Sequence, residues 1–140
     1  MSDRPIIIHC LDDAKAALAV AGELDVPVTL RSAPGAARYL GAQVFRDMIE
    51  EAAGSYPHLR ITSVFDCGDD PGLALGAMRH GLKVIKTSVS GEALKSLADI
   101  AKQSGARLDE GGPEGQEPAL DLLDMEDTKT AVRKWLTDGK

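Results

Sequence analysis

Short apolar runs alternate along this chain with segments whose apolar residues recur every three or four positions. Residues 5–11 form the first run and show little polar alternation, the pattern of a strand buried on both faces. In the segment that follows, Ala14, Ala17 and Leu18 fall on one face of a helix, and Asp12 is placed to cap it. Four more runs predict strands at 26–30, 60–65, 83–87 and 106–108.

Capping and stop signals predict the remaining helices. The longest runs from about Pro34 to Ser55, with Leu40, Val44, Met48 and Ala52 predicted to face inward. Asp70 followed by Pro71 starts a short helix over 72–79, and Ser90 starts another that ends at Gly105. One or two final helical pieces are predicted from six apolar residues near the end: Leu120, Leu122, Leu123, Val132, Trp135 and Leu136.

Strands that alternate with helices at this spacing predict parallel pairing through right-handed crossovers. The predicted fold class is therefore α/β: a three-layer α/β/α sandwich around a five-stranded parallel sheet in the flavodoxin-like order 2-1-3-4-5. A Rossmann-like order is the alternative. Half of a (β/α)₈ barrel ranks third, because it would leave sheet edges that need a partner.

Length and composition fit one globular domain. The chain has 140 residues, of which 44% are hydrophobic and 27% charged, which excludes a disordered chain. Two cysteines exclude a disulfide scaffold. No apolar run near the start is long enough for a signal peptide or a membrane span, so we expect a cytoplasmic protein without a membrane partner.

Charge is unevenly distributed along the sequence. The net charge of −6 argues against nucleic acid as a partner. Eight of the 22 acids lie between Asp109 and Asp127, which leaves 14 acids against 16 bases elsewhere. Glycines and prolines interrupt the start of this stretch. We therefore predict an α/β domain over 1–108, an acidic Gly/Pro linker over 109–118 and a helical extension over 119–140.

The ends of the predicted strands carry the candidate ligand-binding residues, since open parallel sheets bind ligands there. After the second strand, the loop offers Arg31, Ser32 and Gly35, and Arg38 follows. After the fourth, Lys86, Thr87 and Ser88 precede another helix start. Arginine grips phosphate or carboxylate with two parallel hydrogen bonds. The predicted function is binding of a small phosphorylated or carboxylated metabolite.

His9 and Asp66 are the candidate catalytic residues. Each lies at the end of a predicted strand, and an aspartate that fixes the imidazole tautomer would make a general base. Alternation along the strands equally permits Cys10 to lie near Cys67. Acids at the strand ends could hold Mg²⁺, but nothing in their spacing brings them together, so no metal site is assigned. The sequence identifies no cofactor and names no reaction.

A regulatory or interaction module is the alternative function. Asp12 with Asp13, Asp66 and Thr87 resemble three of the four positions that define phosphoacceptor receiver domains. The lysine that those domains carry after the fifth strand has no counterpart here, where the sequence reads Ala-Arg-Leu-Asp. A C-terminal helix attached through a linker could also mediate homo-oligomer formation.

Overall fold

The strands pair in the order in which they occur along the chain, apart from the last. The computed structural model describes residues 4–109 and 118–138. Most of the predicted linker over 109–118 therefore lies outside the described residues. The elements are β1 (Ile6–Ile7), α1 (Leu11–Leu24), β2 (Val28–Arg31), a 3₁₀ helix (Ala36–Arg38), α2 (Ala42–Ala53), β3 (Ile61–Asp66), α3 (Pro71–Arg79), β4 (Val84–Lys86), α4 (Gly91–Ser104), β5 (Arg107–Asp109), β6 (Leu120–Asp121) and α5 (Thr128–Asp138).

The sheet order within the described residues is β5-β4-β3-β2-β1-β6. The predicted flavodoxin-like order 2-1-3-4-5 is therefore wrong, and a Rossmann-like order does not fit either. Right-handed crossovers between consecutive neighbours place their helices on one face of a sheet, so a sandwich with helices on both faces does not form. The chain pattern specified alternating elements and parallel pairing, but it carried no signal for which strands become neighbours.

β6 is a strand that the sequence analysis assigned to a helix. Leu120 pairs with Ile6 and Asp121 with Ile7, in parallel register. The Leu122 N–H donates to the Ile7 carbonyl at 3.1 Å, and the Leu122 side chain is buried. Leucines at 120, 122 and 123 fit both a helical and a strand period, so the pattern alone did not separate the two.

The predicted long helix over 34–55 is interrupted. Gly35 adopts a left-handed conformation with φ 66°, and a 3₁₀ turn follows before α2 begins at Ala42. The buried face of α2 passes through Ile49, which leaves Val44 57% exposed instead of facing inward. Phe45 and Ala52 are buried.

Compact packing divides the chain into two units. The first comprises the described residues within Met1–Arg31, Asp47–Thr62 and Pro118–Lys140. The second comprises those within Ser32–Arg46 and Ser63–Glu117. Residues 119–138 of the predicted C-terminal extension thus belong to the same compact unit as β1, α1 and β2.

In the first unit, α5 packs on α1 of the same chain. Val132 is fully buried, and Glu23 of α1 forms an ion pair with Arg133 of α5. The Arg4 guanidinium lies 3.7 Å from the centre of the Trp135 ring and donates two hydrogen bonds to the Trp135 carbonyl. Val132, one of the apolar residues predicted to form the C-terminal helical pieces, therefore packs within the chain, whereas Leu123 is 57% exposed.

In the second unit, Phe65 of β3 stacks on Phe45 of α2, with ring centroids 5.0 Å apart. Both rings are buried, and Ile85 of β4 extends the same core. Asp70 caps α3 as predicted, since its Oδ1 accepts hydrogen bonds from the N–H groups of Gly72 and Leu73. These contacts fix the loop that connects β3 to α3.

None of the helices within residues 4–109 and 118–138 combines the length and the apolar character that crossing a membrane requires.

Candidate functional site

An open cleft of about 500 Å³ lies in the second unit, beyond the carboxyl ends of β3 and β4. It is lined by Pro34, Gly35, Arg38, Tyr39, Gly68, Asp69 and Ser88. Three of the predicted ligand-binding residues, Gly35, Arg38 and Ser88, therefore share one surface. Tyr39, Gly68 and Asp69 were not predicted as ligand-binding residues.

Two glycines shape the cleft. Gly35 and Gly68 have φ values of 66° and 60°, a left-handed conformation that side chains with a Cβ rarely adopt. A Cβ on Gly68 would lie 3.8 Å from the Cα of Gly35, so the two loops come close at their backbones. Glycine at both positions leaves the backbone open to a bound molecule.

Buried side chains hold these loops in place. The Ser32 hydroxyl accepts a hydrogen bond from the Asp66 N–H at 2.8 Å, and Asp66 Oδ1 accepts one from the Gly68 N–H at 2.9 Å. Thr87 Oγ1 donates to the Gly68 carbonyl at 3.0 Å and accepts from the Val89 N–H at 3.1 Å. Ser32, Asp66 and Thr87 are all buried, so in this structure their polar groups position the loop.

The charge in the cleft is balanced by one ion pair. Arg38 Nη2 lies 2.5 Å from Asp69 Oδ1, and both side chains are exposed. An anion that enters the cleft therefore competes with the Asp69 carboxylate for the Arg38 guanidinium.

Lys86 lies in a row of charged residues across three strands. It is in register with Asp66 on β3 and with Asp109 on β5. Residues paired across parallel strands point to the same face of the sheet, so one ammonium is flanked by two carboxyl-bearing positions. This row could not be predicted from the sequence without the strand order.

His9 has a different partner from the one that was predicted. Its Nε2 lies 2.6 Å from Asp121 Oδ1, and its backbone N–H donates to Asp13 Oδ2 at 2.9 Å. Both contacts lie in the first unit, whereas Asp66 belongs to the second unit and bonds Gly68. Asp121 was missed because its segment was assigned to a helix.

The pKa of Asp121 lies below its ordinary value. Partial burial acts to raise this pKa, but the hydrogen bonds from the Leu123 N–H and from His9 outweigh it and favour the carboxylate. The Asp121 carboxylate is thus ionised and accepts a hydrogen bond from Nε2 of the His9 ring.

Arg31, the first of the predicted anion-binding residues, is buried at the end of β2. It is only 6% exposed, and its guanidinium has no hydrogen bond or ion pair with any residue in 4–109 or 118–138. An unpartnered cation in such a position is costly unless a bound anion or solvent compensates it.

Both cysteines are free thiols. Cys10 is exposed at the start of α1. Cys67 is fully buried, and burial, followed by the charges of Asp66 and Asp70, raises its thiol pKa to about 12. Cys67 is therefore a packed core residue in its present surroundings, not a nucleophile.

The structure does not support the alternative that this chain is a receiver-like domain. Receiver domains have the flavodoxin-like strand order, which this sheet does not have. Asp13 accepts the His9 N–H, and Asp66 and Thr87 hold the loop at Gly68. Within the described ranges, no three His, Cys, Asp or Glu side chains are grouped as they would be around a metal ion.

Comparison with known proteins shows several partial likenesses and no matching family model. The chain is 34% identical over 73 residues to a class 2 fructose-bisphosphate aldolase of Synechocystis, covering 52% of this chain and 20% of that protein. It is 31% identical over 86 residues to a fructose-bisphosphate aldolase of Nostoc commune, covering 61% and 24%. The chain thus spans about a fifth to a quarter of the length of these relatives.

A solved structure extends the likeness to nearly the whole chain. A candidate fructose-1,6-bisphosphate aldolase from Coccidioides immitis superposes with a TM-score of 0.63 at 19% sequence identity, over 94% of this chain and 52% of that one. Together with the consecutive strand order, this likeness identifies the fold as part of a (β/α)₈ barrel of the aldolase type. In sequence, the chain is similar to a segment of these fructose-bisphosphate aldolases, one of which is of class 2.

Proposed function

We propose that this chain binds a phosphorylated sugar in the cleft of the second unit. The observation that carries the proposal is the convergence of Arg38, Ser88 and two left-handed glycines at the carboxyl ends of parallel strands. That end of the strands is where (β/α)₈ barrels hold their ligands. The relatives named above are fructose-bisphosphate aldolases, which supports a phosphorylated sugar over other small anions.

Binding begins with an exchange of partners on Arg38. The phosphate takes the place of the Asp69 carboxylate, because a guanidinium binds two phosphate oxygens with parallel hydrogen bonds. The Asp69 carboxylate is then released to accept a hydrogen bond from a sugar hydroxyl, and the Ser88 hydroxyl donates to the phosphate. Gly35 and Gly68 allow the ligand to approach the backbone.

The buried residues around the cleft act by positioning. Ser32, Asp66 and Thr87 hold the Gly68 loop, and Lys86 adds positive charge at the carboxyl end of β4. We assign no reaction to the chain, because it spans only part of its enzymatic relatives. A reducing compartment such as the cytoplasm suits two free cysteines.

Two opposite substitutions test the exchange on Arg38. Glucose 6-phosphate is titrated by calorimetry into the wild type, Arg38→Gln and Asp69→Asn, with glucose as the unphosphorylated comparison. Arg38→Gln should weaken binding by about tenfold or more, since it removes a charge-assisted hydrogen-bonding pair. Asp69→Asn should strengthen binding severalfold, because the phosphate no longer displaces a carboxylate.

Arg79→Gln is the matched control, since Arg79 is an exposed arginine on α3 that does not line the cleft. It should bind glucose 6-phosphate as the wild type does. Equal affinity in the wild type and Arg38→Gln, or equal binding of glucose, would refute the proposal.

A further inference from the structure

Three adjacent strands of the first unit present a row of side chains on one face. Ile7 of β1 is in register with Arg31 of β2 on one side and with Asp121 of β6 on the other. Residues paired across parallel strands point to the same face, so Arg31 and Asp121 flank Ile7 there. His9 lies two residues beyond Ile7 and therefore returns to this face, where it meets Asp121.

The negative charge of this row is already engaged. Asp121 Oδ1 accepts hydrogen bonds from His9 and from the Leu123 N–H, and Asp13 accepts from the His9 backbone. Asp121 is separated from Arg31 by the β1 strand, a distance of about two strand spacings, or roughly 9.6 Å between backbones. Neither carboxylate is ion-paired with Arg31.

Arg31 is therefore the unmatched group. It is more than nine-tenths buried, and its guanidinium has no polar partner in the part of the chain that the structure describes. Buried arginines are normally paired, and the planar guanidinium fork fits the two oxygens of a carboxylate or phosphate. His9 lies on the same face, and its imidazolium form carries a second N–H, at Nδ1, that can donate to such an oxyanion.

We propose that Arg31 and His9 form an oxyanion-binding subsite over Ile7, for a carboxylate or phosphate group of a small molecule. Arg31 binds two oxygens of the group, and the ring of His9, in its imidazolium form and held at Nε2 by Asp121, donates a hydrogen bond from Nδ1. The subsite lies wholly in the first unit and is built from residues that do not line the cleft of the second unit. This proposal therefore does not depend on the phosphorylated-sugar proposal and is tested separately from it.

Ring resonances of the histidines provide the test. The full chain is labelled with ¹³C-histidine, and ¹H–¹³C spectra are recorded while inorganic phosphate or acetate is added at constant pH and ionic strength. His58 and His80 are exposed residues remote in sequence from this row and serve as internal references, and His9→Gln assigns the His9 signal. Saturable movement of the His9 signal alone is the expected result. The probe that saturates at lower concentration shows whether phosphate or carboxylate is preferred.

Arginine variants then locate the anion. Arg31→Gln should abolish the saturable shift of His9 or weaken it at least about tenfold, whereas Arg38→Gln should leave it unchanged. If Arg31→Gln does not fold, as judged by circular dichroism, Arg31→Lys replaces it and should weaken binding severalfold, because it keeps the charge but loses the fork.

Three results would overturn the proposal. The first is a folded wild type whose His9 signal shows no saturable movement with either anion. The second is a shift that Arg31 substitution leaves intact, and the third is a shift that disappears in Arg38→Gln, which would assign the anion to the cleft.

Discussion

Replacing Arg31 by methionine should stabilise the unliganded protein. The side chain is 6% exposed and its guanidinium lacks a partner among the described residues, so folding strips most of the water from this charge without supplying a protein hydrogen bond in its place. Methionine is unbranched and of similar length, and it fills irregular apolar spaces.

The expected change in the free energy of unfolding follows from the measured effect of replacing buried charged groups by apolar residues. Exchanging buried ionic groups for apolar residues of similar volume is neutral or stabilising by about 1–4 kcal/mol. An arginine at the end of a strand keeps some access to solvent through its long side chain, so we expect the lower half of that range, about 1–2 kcal/mol. For a chain of this length, 1 kcal/mol corresponds to roughly 3 °C in Tm.

Urea unfolding followed by circular dichroism gives the free energy of unfolding in a buffer without phosphate or carboxylate. Arg38→Met is the matched control, because Arg38 is exposed and already paired with Asp69, and its effect should stay within about 1 kcal/mol. A loss of more than about 1 kcal/mol in Arg31→Met would refute the reasoning, since it would mean that the guanidinium is well satisfied. In 50 mM phosphate the difference should shrink or reverse, because only the wild type gains stability from the anion.

Three further predictions concern the two cores and the His9–Asp121 pair. Phe45→Ala should reduce the free energy of unfolding by about 3–5 kcal/mol in urea denaturation, whereas Phe45→Leu should cost clearly less, since it keeps most of the buried apolar volume. Iodoacetamide at pH 8 should add one carbamidomethyl group to the native protein, at Cys10, and two groups to the protein in urea, as read by mass spectrometry. The reason is that burial and neighbouring carboxylates hold the Cys67 thiol protonated, with a pKa of about 12. Labelling of both thiols at similar rates in the native protein would contradict this. The pKa of Asp121 is lowered by folding, so its contribution to stability is complete above about pH 4 and is lost as the pH falls through the folded pKa. The wild type should therefore have a larger free energy of unfolding than Asp121→Asn at pH 6, and this difference should narrow toward pH 3. A difference that does not change with pH would contradict the prediction.

Some local signals in the sequence predicted local structure, although Asp12 lies within α1 and does not cap it, and the Ser90 side chain makes no capping hydrogen bond. Asp70 followed by Pro71 marks the start of α3, and Gly105 adopts the left-handed conformation that ends α4. These features depend on capping and on backbone conformation within a few residues, which the sequence carries directly. Parallel pairing was also predictable, because helices separate the strands.

Long-range relations were not predictable in the same way. The position of β6 beside β1 depends on two residues, Leu120 and Asp121, whose pattern fits more than one element. A helix at this position offers His9 no partner, so the sequence pattern favours Asp66, whereas in the structure β6 places Asp121 beside His9. Both Arg31 and Arg38 are anion-binding candidates by sequence, but nothing in the pattern indicates that Arg31 is buried without a partner among the described residues while Arg38 is exposed and paired.

The pairing of β1 with β6 has a consequence for biosynthesis. Ile6 meets Leu120, so β1 leaves the ribosome more than a hundred residues before its neighbour on that side exists. β2 can join β1 early, but one edge of β1 stays unpaired until residues 120–121 have been synthesised, and unpaired strand edges promote aggregation. The clamp between Arg4 and Trp135 closes later still. Completion of the first unit therefore waits until residues 120–138 have been synthesised, and contacts this distant in sequence favour slow folding.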